Sequence, residues 1–198
     1  VLTIFCPKEL AAILKPLIEL LAGIPSVVYG FIGVVTIVPF IRDYFGGPGL
    51  SVLATSIVLG VMVLPTVTSI SIDALKSVPR SYWEGSIALG ATEWQSTHMV
   101  MLKAARSGIV AAIILGMGRA VGETMAVIMV CGNTLEIPKS PLDPLRTLTS
   151  NIALEMGYAT GEHREALFAT AVTLFVIIMV LNIAALTIAR RGMVSSNR

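Results

Sequence analysis

Arg119 and Glu123 stand four residues apart inside Ile109–Val130, a stretch whose other side chains are apolar, small or hydroxyl-bearing. In an unbroken α-helix that spacing sets both on one face, with Ala112 and Gly116 on the turns before them. A charge at mid-bilayer costs on the order of 3 kcal/mol on insertion scales, so it needs a partner or a wet path. Two chemistries fit. Either the pair neutralises itself and only makes the stretch tolerable, or the guanidinium meets an oxyanion such as phosphate with its planar array of donors. In the second case Glu123 holds Arg119 in place or accepts a hydrogen bond from a protonated phosphate oxygen, and its repulsion of a dianion favours passage over capture. The small residues on the same stripe would let another helix approach, which points to a path between two subunits.

The elements that position this pair are those of a membrane protein. Of 198 residues, 55% are hydrophobic and only 13% charged, with a mean hydropathy of +0.86, which excludes an ordinary soluble domain. A polytopic all-α chain with about four spans fits this length. The spans are expected at residues 25–42, 50–75, 107–131 and 166–189, with Pro65 interrupting the second and Arg42 and Asp43 falling in the turn after the first. Residues 8–24 mix Lys8, Glu9, Lys15 and Glu19 with apolar positions and read as a lead-in helix at the interface or on a partner. The chain begins at Val1 with no basic leader, so an upstream part is expected to be missing. The net charge of +2 is too small to imply nucleic acid. Cys6 and Cys131 have no ligand or redox spacing and read as apolar packing, and His98 and His163 have no metal-ligand companion, so neither a metal site nor a cofactor is expected.

Residues 76–106 form a polar interruption with two S/T-x-x-E/Q patterns, Ser81 with Glu84 and Thr92 with Gln95, each able to start a short helix. Gly90 lies between them, so a helix, a turn at Gly90-Ala91 and a second helix are expected. Lys76, Arg80, Lys103 and Arg106 outnumber Glu84 and Glu93, which places this loop in the cytoplasm, and Arg190 and Arg191 end the last span on the same side. Residues 132–165 then face the other side, and within them RTLTSNIALEMG (146–157) reads as a short helix capped near Thr149 or Ser150. Both a surface position and one dipping into the membrane fit it. With the loop outside the bilayer, Trp94 reads as a docking contact or an interface-belt aromatic, and Trp83 likewise.

Glu84-Gly85-Ser86, followed by Gly90-Ala91 and Trp94, resembles the cytoplasmic E-A-A-x-x-x-G-A loop of binding-protein-dependent ABC importer permeases, with Gly85 and Ser86 in place of the two alanines. Leu102-Lys103 stands where such loops commonly close with leucine-proline. The stretches IPSVVYGFIG (24–33), VPRSYWEGSIALGAT (78–92), GRAVGETMAV (118–127), RTLTSNIALEMG and HREALFAT look like the phosphate-specific permeases, closer to the C-type member of the pair than to the A-type. The resemblance implies a MetI-like six-helix permease core whose first helices are missing here, in a bacterial or archaeal cytoplasmic (inner) membrane and surrounded by lipid. It implies pairing with a homologous permease, docking on two ATP-binding cassette subunits, and supply by an extracytoplasmic phosphate-binding protein. By position, Glu84, Gly90 and Ala91 become docking residues, and Arg119 and Glu123 the charged pair of the phosphate path. No GxxxxGK[ST] loop is present, so ATP hydrolysis falls to separate subunits, and no HExxH or GxSxG cluster marks the chain as an enzyme. A permease for sulfate or molybdate would use the same loop and topology, and a non-transporting scaffold subunit is the reading from another class.

Overall fold

A computed structural model describes residues 8–195; Cys6 lies outside them. Among the described residues all regular structure is helical, apart from one isolated bridge between Gly132 and Leu145. The helices are α1 (Lys8–Gly23), α2 (Ser26–Phe45), α3 (Val52–Lys76), α4 (Arg80–Ala88), α5 (Glu93–Ala104), α6 (Arg106–Gly122), α7 (Met125–Val130), α8 (Leu148–Glu155) and α9 (Gly161–Ser195). Helices α2, α3 and α9 are each long and apolar enough to cross a membrane, and α5 with α6 forms a bent pair, 63° apart, that passes the same test together. The chain divides into two compact units. Among the described residues, one comprises 8–22, Leu64–Met117 and 181–195; the other comprises Gly23–Val63 and Gly118–Val180.

The second unit is built around the packing of α2 and the start of α3 on α7. Its core is Tyr29, Val38, Ile41, Ala54, Val58, Met62, Ala126 and Val130. Close approach is set by Gly30, where an added Cβ would stand 2.8 Å from Ala126 Cα and 2.9 Å from Met129 Sδ. Within α2, residues Gly33–Ile37 widen into a π-helical turn just before Pro39. The proline ring cannot fit under the carbonyl four residues back and brings no N–H to it, and the wider turn relieves both defects. Arg42 and Asp43 lie in the last helical turn of α2 and not in the turn beyond it, which belongs to the glycines from Gly46. At the start of α3, the exposed amides that every helix leaves unpaired are taken by carbonyls from elsewhere: Ser51 N by Val130, Val52 N by Asp143 and Leu53 N by Pro141, at 3.2, 3.0 and 2.8 Å.

In the first unit, α4 and α5 make a helical elbow. Helix α4 does not start with the expected Ser81–Glu84 capping box: its N-cap is Pro79 and no side chain caps it. Proline's fixed φ opens the helix two residues earlier, leaving Ser81 already helical and unable to cap. The second box does form, with Thr92 N donating to Gln95 Oε1 (2.9 Å) and Gln95 N to Thr92 Oγ1 (3.3 Å). Between them Gly90 turns the chain at φ 87°, a conformation that L side chains rarely adopt. Further along, α6 passes close to α3, where a Cβ on Gly108 would sit 2.5 Å from that of Ala74.

Helix α9 begins at Gly161, earlier than the expected 166, and almost none of its apolar length is buried within the chain. Phe168, Val172, Phe175 and Val180 are exposed, so lipid or another protein must cover them. Ala112 and Gly116, by contrast, are buried within the chain itself, so the small-residue stripe on α6 is not left open for a second subunit. The packing at Gly30 makes a first prediction. Gly30→Leu should lower stability by about 1–3 kcal/mol, as overpacking does, whereas Gly60→Ala, which meets nothing within 4 Å, should not. Unfolding of the detergent-solubilised protein measures both.

Candidate functional site

The stretch expected to run as one helix through Arg119 and Glu123 is interrupted between them. Helix α6 ends at Gly122, Glu123 and Thr124 are not helical, and α7 starts at Met125. Glycine at the end of the first piece weakens it, and Glu123 then starts the second, its Oε1 accepting from Ala126 N at 3.2 Å. The last turn of α6 is closed by Glu123 N donating to Ala120 O (3.2 Å) and by Thr124 Oγ1 donating to Gly122 O (3.3 Å). The i, i+4 relation on a single helix face therefore does not hold. What replaces it is a pair of helix ends. Arg119 occupies the last turn of α6 and is exposed, while the half-buried Glu123 precedes the first turn of α7. A cation at a C-terminal end and a carboxylate at an N-terminal end each match the partial charge of the helix terminus beside them.

The break is held from the segment between α7 and α9. Thr149, buried on α8, donates from Oγ1 to Glu123 O at 2.9 Å. Helix α8 is the short helix expected in 146–157, but its cap is Thr147, with Ser150 returning the bond: Ser150 N to Thr147 Oγ1 at 3.2 Å and Thr147 N to Ser150 Oγ at 3.0 Å. This reciprocal cap uses serine where the usual pattern has Glu or Gln, and it leaves Thr149 free to face inward. Arg146 fixes the start of the helix, with Nε donating to Asn133 O (3.0 Å) and Nη1 to Asn151 Oδ1 (3.3 Å) and Glu155 Oε1 (2.6 Å). A cavity of about 360 Å³ opens beside Arg146, lined also by Thr134, Thr147, Asn151 and Thr170. Sequence reasoning names Thr149 only as a candidate cap for this helix and gives Arg146 no role. The available signal was Gly122-Glu123-Thr124, a helix stop followed by an acidic acceptor three residues before an amide.

The four residues expected to dock a partner, Glu84, Gly90, Ala91 and Trp94, all lie on the α4–α5 elbow. Glu84 and Trp94 are exposed, and Trp94 stacks on His98 with ring centroids 5.4 Å apart. The elbow is pinned by Ser86, whose hydroxyl bonds Trp83 O (2.8 Å) and the hydroxyl of buried Ser96.

Glu155 lies outside the helices long enough to span. Hydrogen bonds from Tyr158 and then Arg146 hold its carboxyl below the usual 4.5, and the same bond raises Tyr158. A lowered folded-state value means that the contribution to stability is present above about pH 4.5 and is lost as pH falls through the lowered value. Glu155→Gln should therefore be less stable than the parent near neutrality, the difference closing as pH falls through the lowered value. Thermal unfolding across that range measures it.

Residues 5–192 match the family described as binding-protein-dependent transport system inner membrane component. The chain is 53% identical to the "Probable ABC transporter permease protein YqgH" of Bacillus subtilis, over 80% of this chain and 52% of that protein. It is 36% identical to the "Phosphate transport system permease protein PstC" of Xylella fastidiosa, over 96% of this chain and 63% of that one. It is 35% identical to "Phosphate transport system permease protein PstC 1" of Mycobacterium tuberculosis, over 95% and 62%. The chain thus spans between half and two thirds of these relatives' length. No solved structure matches it.

Proposed function

The chain belongs to the family of binding-protein-dependent transport system inner membrane components, and from that premise we propose that it is a permease subunit of an ATP-driven importer of inorganic phosphate, of the C type. It works in the cytoplasmic membrane beside a homologous permease, with two ATP-hydrolysing subunits and an extracytoplasmic phosphate-binding protein. The observation that carries the reading is the interrupted helix at Glu123. Backbone polar groups released by a break cannot be satisfied by lipid, so such a break belongs beside protein or a water-filled path. Here it stands four residues from a guanidinium suited to phosphate oxygens. Likeness over nearly the whole chain to proteins named as phosphate transport permeases supports phosphate over other oxyanions.

In this reading Arg119 meets the travelling anion, while Glu123, held at the start of α7, keeps the site from becoming a trap. The α4–α5 elbow is the part that an ATPase subunit grips, with Glu84, Gly90, Ala91 and Trp94 at the contact. Helix α6 follows the elbow directly in the chain, so movement of the elbow has a covalent route towards Arg119.

Arg119→Gln should abolish phosphate uptake while membrane insertion stays intact; uptake at the parent rate would remove Arg119 from the path. Competition of labelled phosphate uptake by sulfate and by molybdate tests the anion, and equal competition by either would transfer the reading to a broader oxyanion permease. Gly90→Leu forces a side chain into a positive-φ turn and should weaken co-purification of the ATPase subunits. Unchanged recovery and ATPase coupling would count against docking at the elbow.

A further inference from the structure

Thr149 is the one side chain outside the break whose hydroxyl reaches the break's own backbone among the hydrogen bonds described above. It is 7% exposed and gives its proton to Glu123 O at 2.9 Å, twenty-six residues away in sequence. Its own position is over-determined. Thr147 and Ser150 cap α8 reciprocally, Thr147 Oγ1 lies 3.0 Å from Thr149 Oγ1, and Arg146 joins the helix start to Asn133 O and to Glu155. On the far side of the break, the Glu123 carboxylate is tied to Ala126 N, and Ala126 is fully buried with Gly30 of α2 against its Cα. The peptide following Glu123 is therefore held at both ends, by α8 through a hydroxyl and by α2 through α7.

We propose that Thr149 is a positioning residue for the anion path: by bonding the Glu123 carbonyl it keeps the helix broken there and aims the Glu123 carboxylate into α7. Without that donor the part-buried carbonyl loses its hydroxyl partner, and the local backbone relaxes towards a conformation that supplies another amide. The carboxylate then leaves Ala126 N, and its distance from Arg119 changes. Thr149 touches no substrate in this scheme. It acts through Glu123, so it governs how fast the loaded path turns over more than how well the path is loaded. This inference rests on the proposed phosphate-permease reading for its transport consequence, but not for its structural one.

The test uses the full transporter complex in proteoliposomes, with Thr149→Val, which keeps volume and loses the hydroxyl, and Thr149→Ser, which keeps the hydroxyl. Thr149→Val should lower the maximal rate of phosphate uptake roughly tenfold, the factor equivalent to about 1.4 kcal/mol, with half-saturation unchanged, and Thr149→Ser should restore the rate. In parallel, hydrogen exchange of the complex should show faster exchange at the amides around Ala126 in the Val variant and not in the Ser variant. Should Thr149→Val not assemble, Thr149→Ala against Thr149→Ser carries the same comparison. Parent-like uptake and exchange in the variant lacking the hydroxyl would overturn the proposal, as would a Ser variant as impaired as Val. If the parent complex takes up no phosphate, the functional reading fails separately, and the exchange measurement alone decides whether Thr149 holds the break.

Discussion

A helix that stops and restarts inside an apolar stretch has to dispose of the amides and carbonyls it uncouples, and this constraint organises the second unit. Carbonyls at the end of α6 are taken by Glu123 N and by the Thr124 hydroxyl, an amide at the start of α7 by the Glu123 carboxylate, and the Glu123 carbonyl by Thr149. In hydrocarbon each unsatisfied group would cost several kcal/mol, so the side chains and the second short helix that take up these four groups favour the interruption. The arrangement has a consequence for the charges. Arg119 and Glu123 sit at successive ends of two helices, where terminal dipoles favour each.

The same requirement explains the segment between α7 and α9, which looks irregular but is closely bonded. It lends carbonyls to the first amides of α3, returns Leu145 N to Cys131 O at 2.9 Å, and closes its own turn with Asp143 Oδ2 accepting from Lys139 N and Ser140 N. Arg146 then collects a backbone carbonyl, an amide oxygen and a carboxylate around one guanidinium. A loop without its own ladder stays ordered when its polar groups are satisfied one by one, and here that order is what delivers Thr149 to Glu123. Small residues supply the remaining condition: Gly30 lets α2 come within contact of the α7 backbone, so the short helix is held by packing although six residues are too few to be stable alone.

The elbow in the first unit obeys different physics. Its α4–α5 turn depends on a glycine at positive φ and on a capping box, both local devices, and its two arms are joined by a pair of serine hydroxyls. Ser86 stands where the resembled loops have alanine, so the departure from that pattern is also the residue that pins the hairpin. Local devices of this kind leave the outer face, with Glu84 and Trp94, exposed.

Much of this was legible in the chain itself. The apolar runs, Gly90, the Thr92–Gln95 box and the short helix near residue 150 depend on side-chain type at fixed spacing, and local rules read such spacing directly. The same rules went astray at Ser81, where Pro79 had already opened the helix, and at Glu123, where helical spacing was assumed across a glycine. Composition determined that the chain is helical and lives in a membrane, because apolar length and sparse charge admit little else. Only the tertiary structure decided that the charged stretch is broken, that Ala112 and Gly116 are covered from within, and that Thr149 meets Glu123 O. Those outcomes turn on which distant group satisfies a freed carbonyl, a pairing across twenty-six residues that no local periodicity encodes.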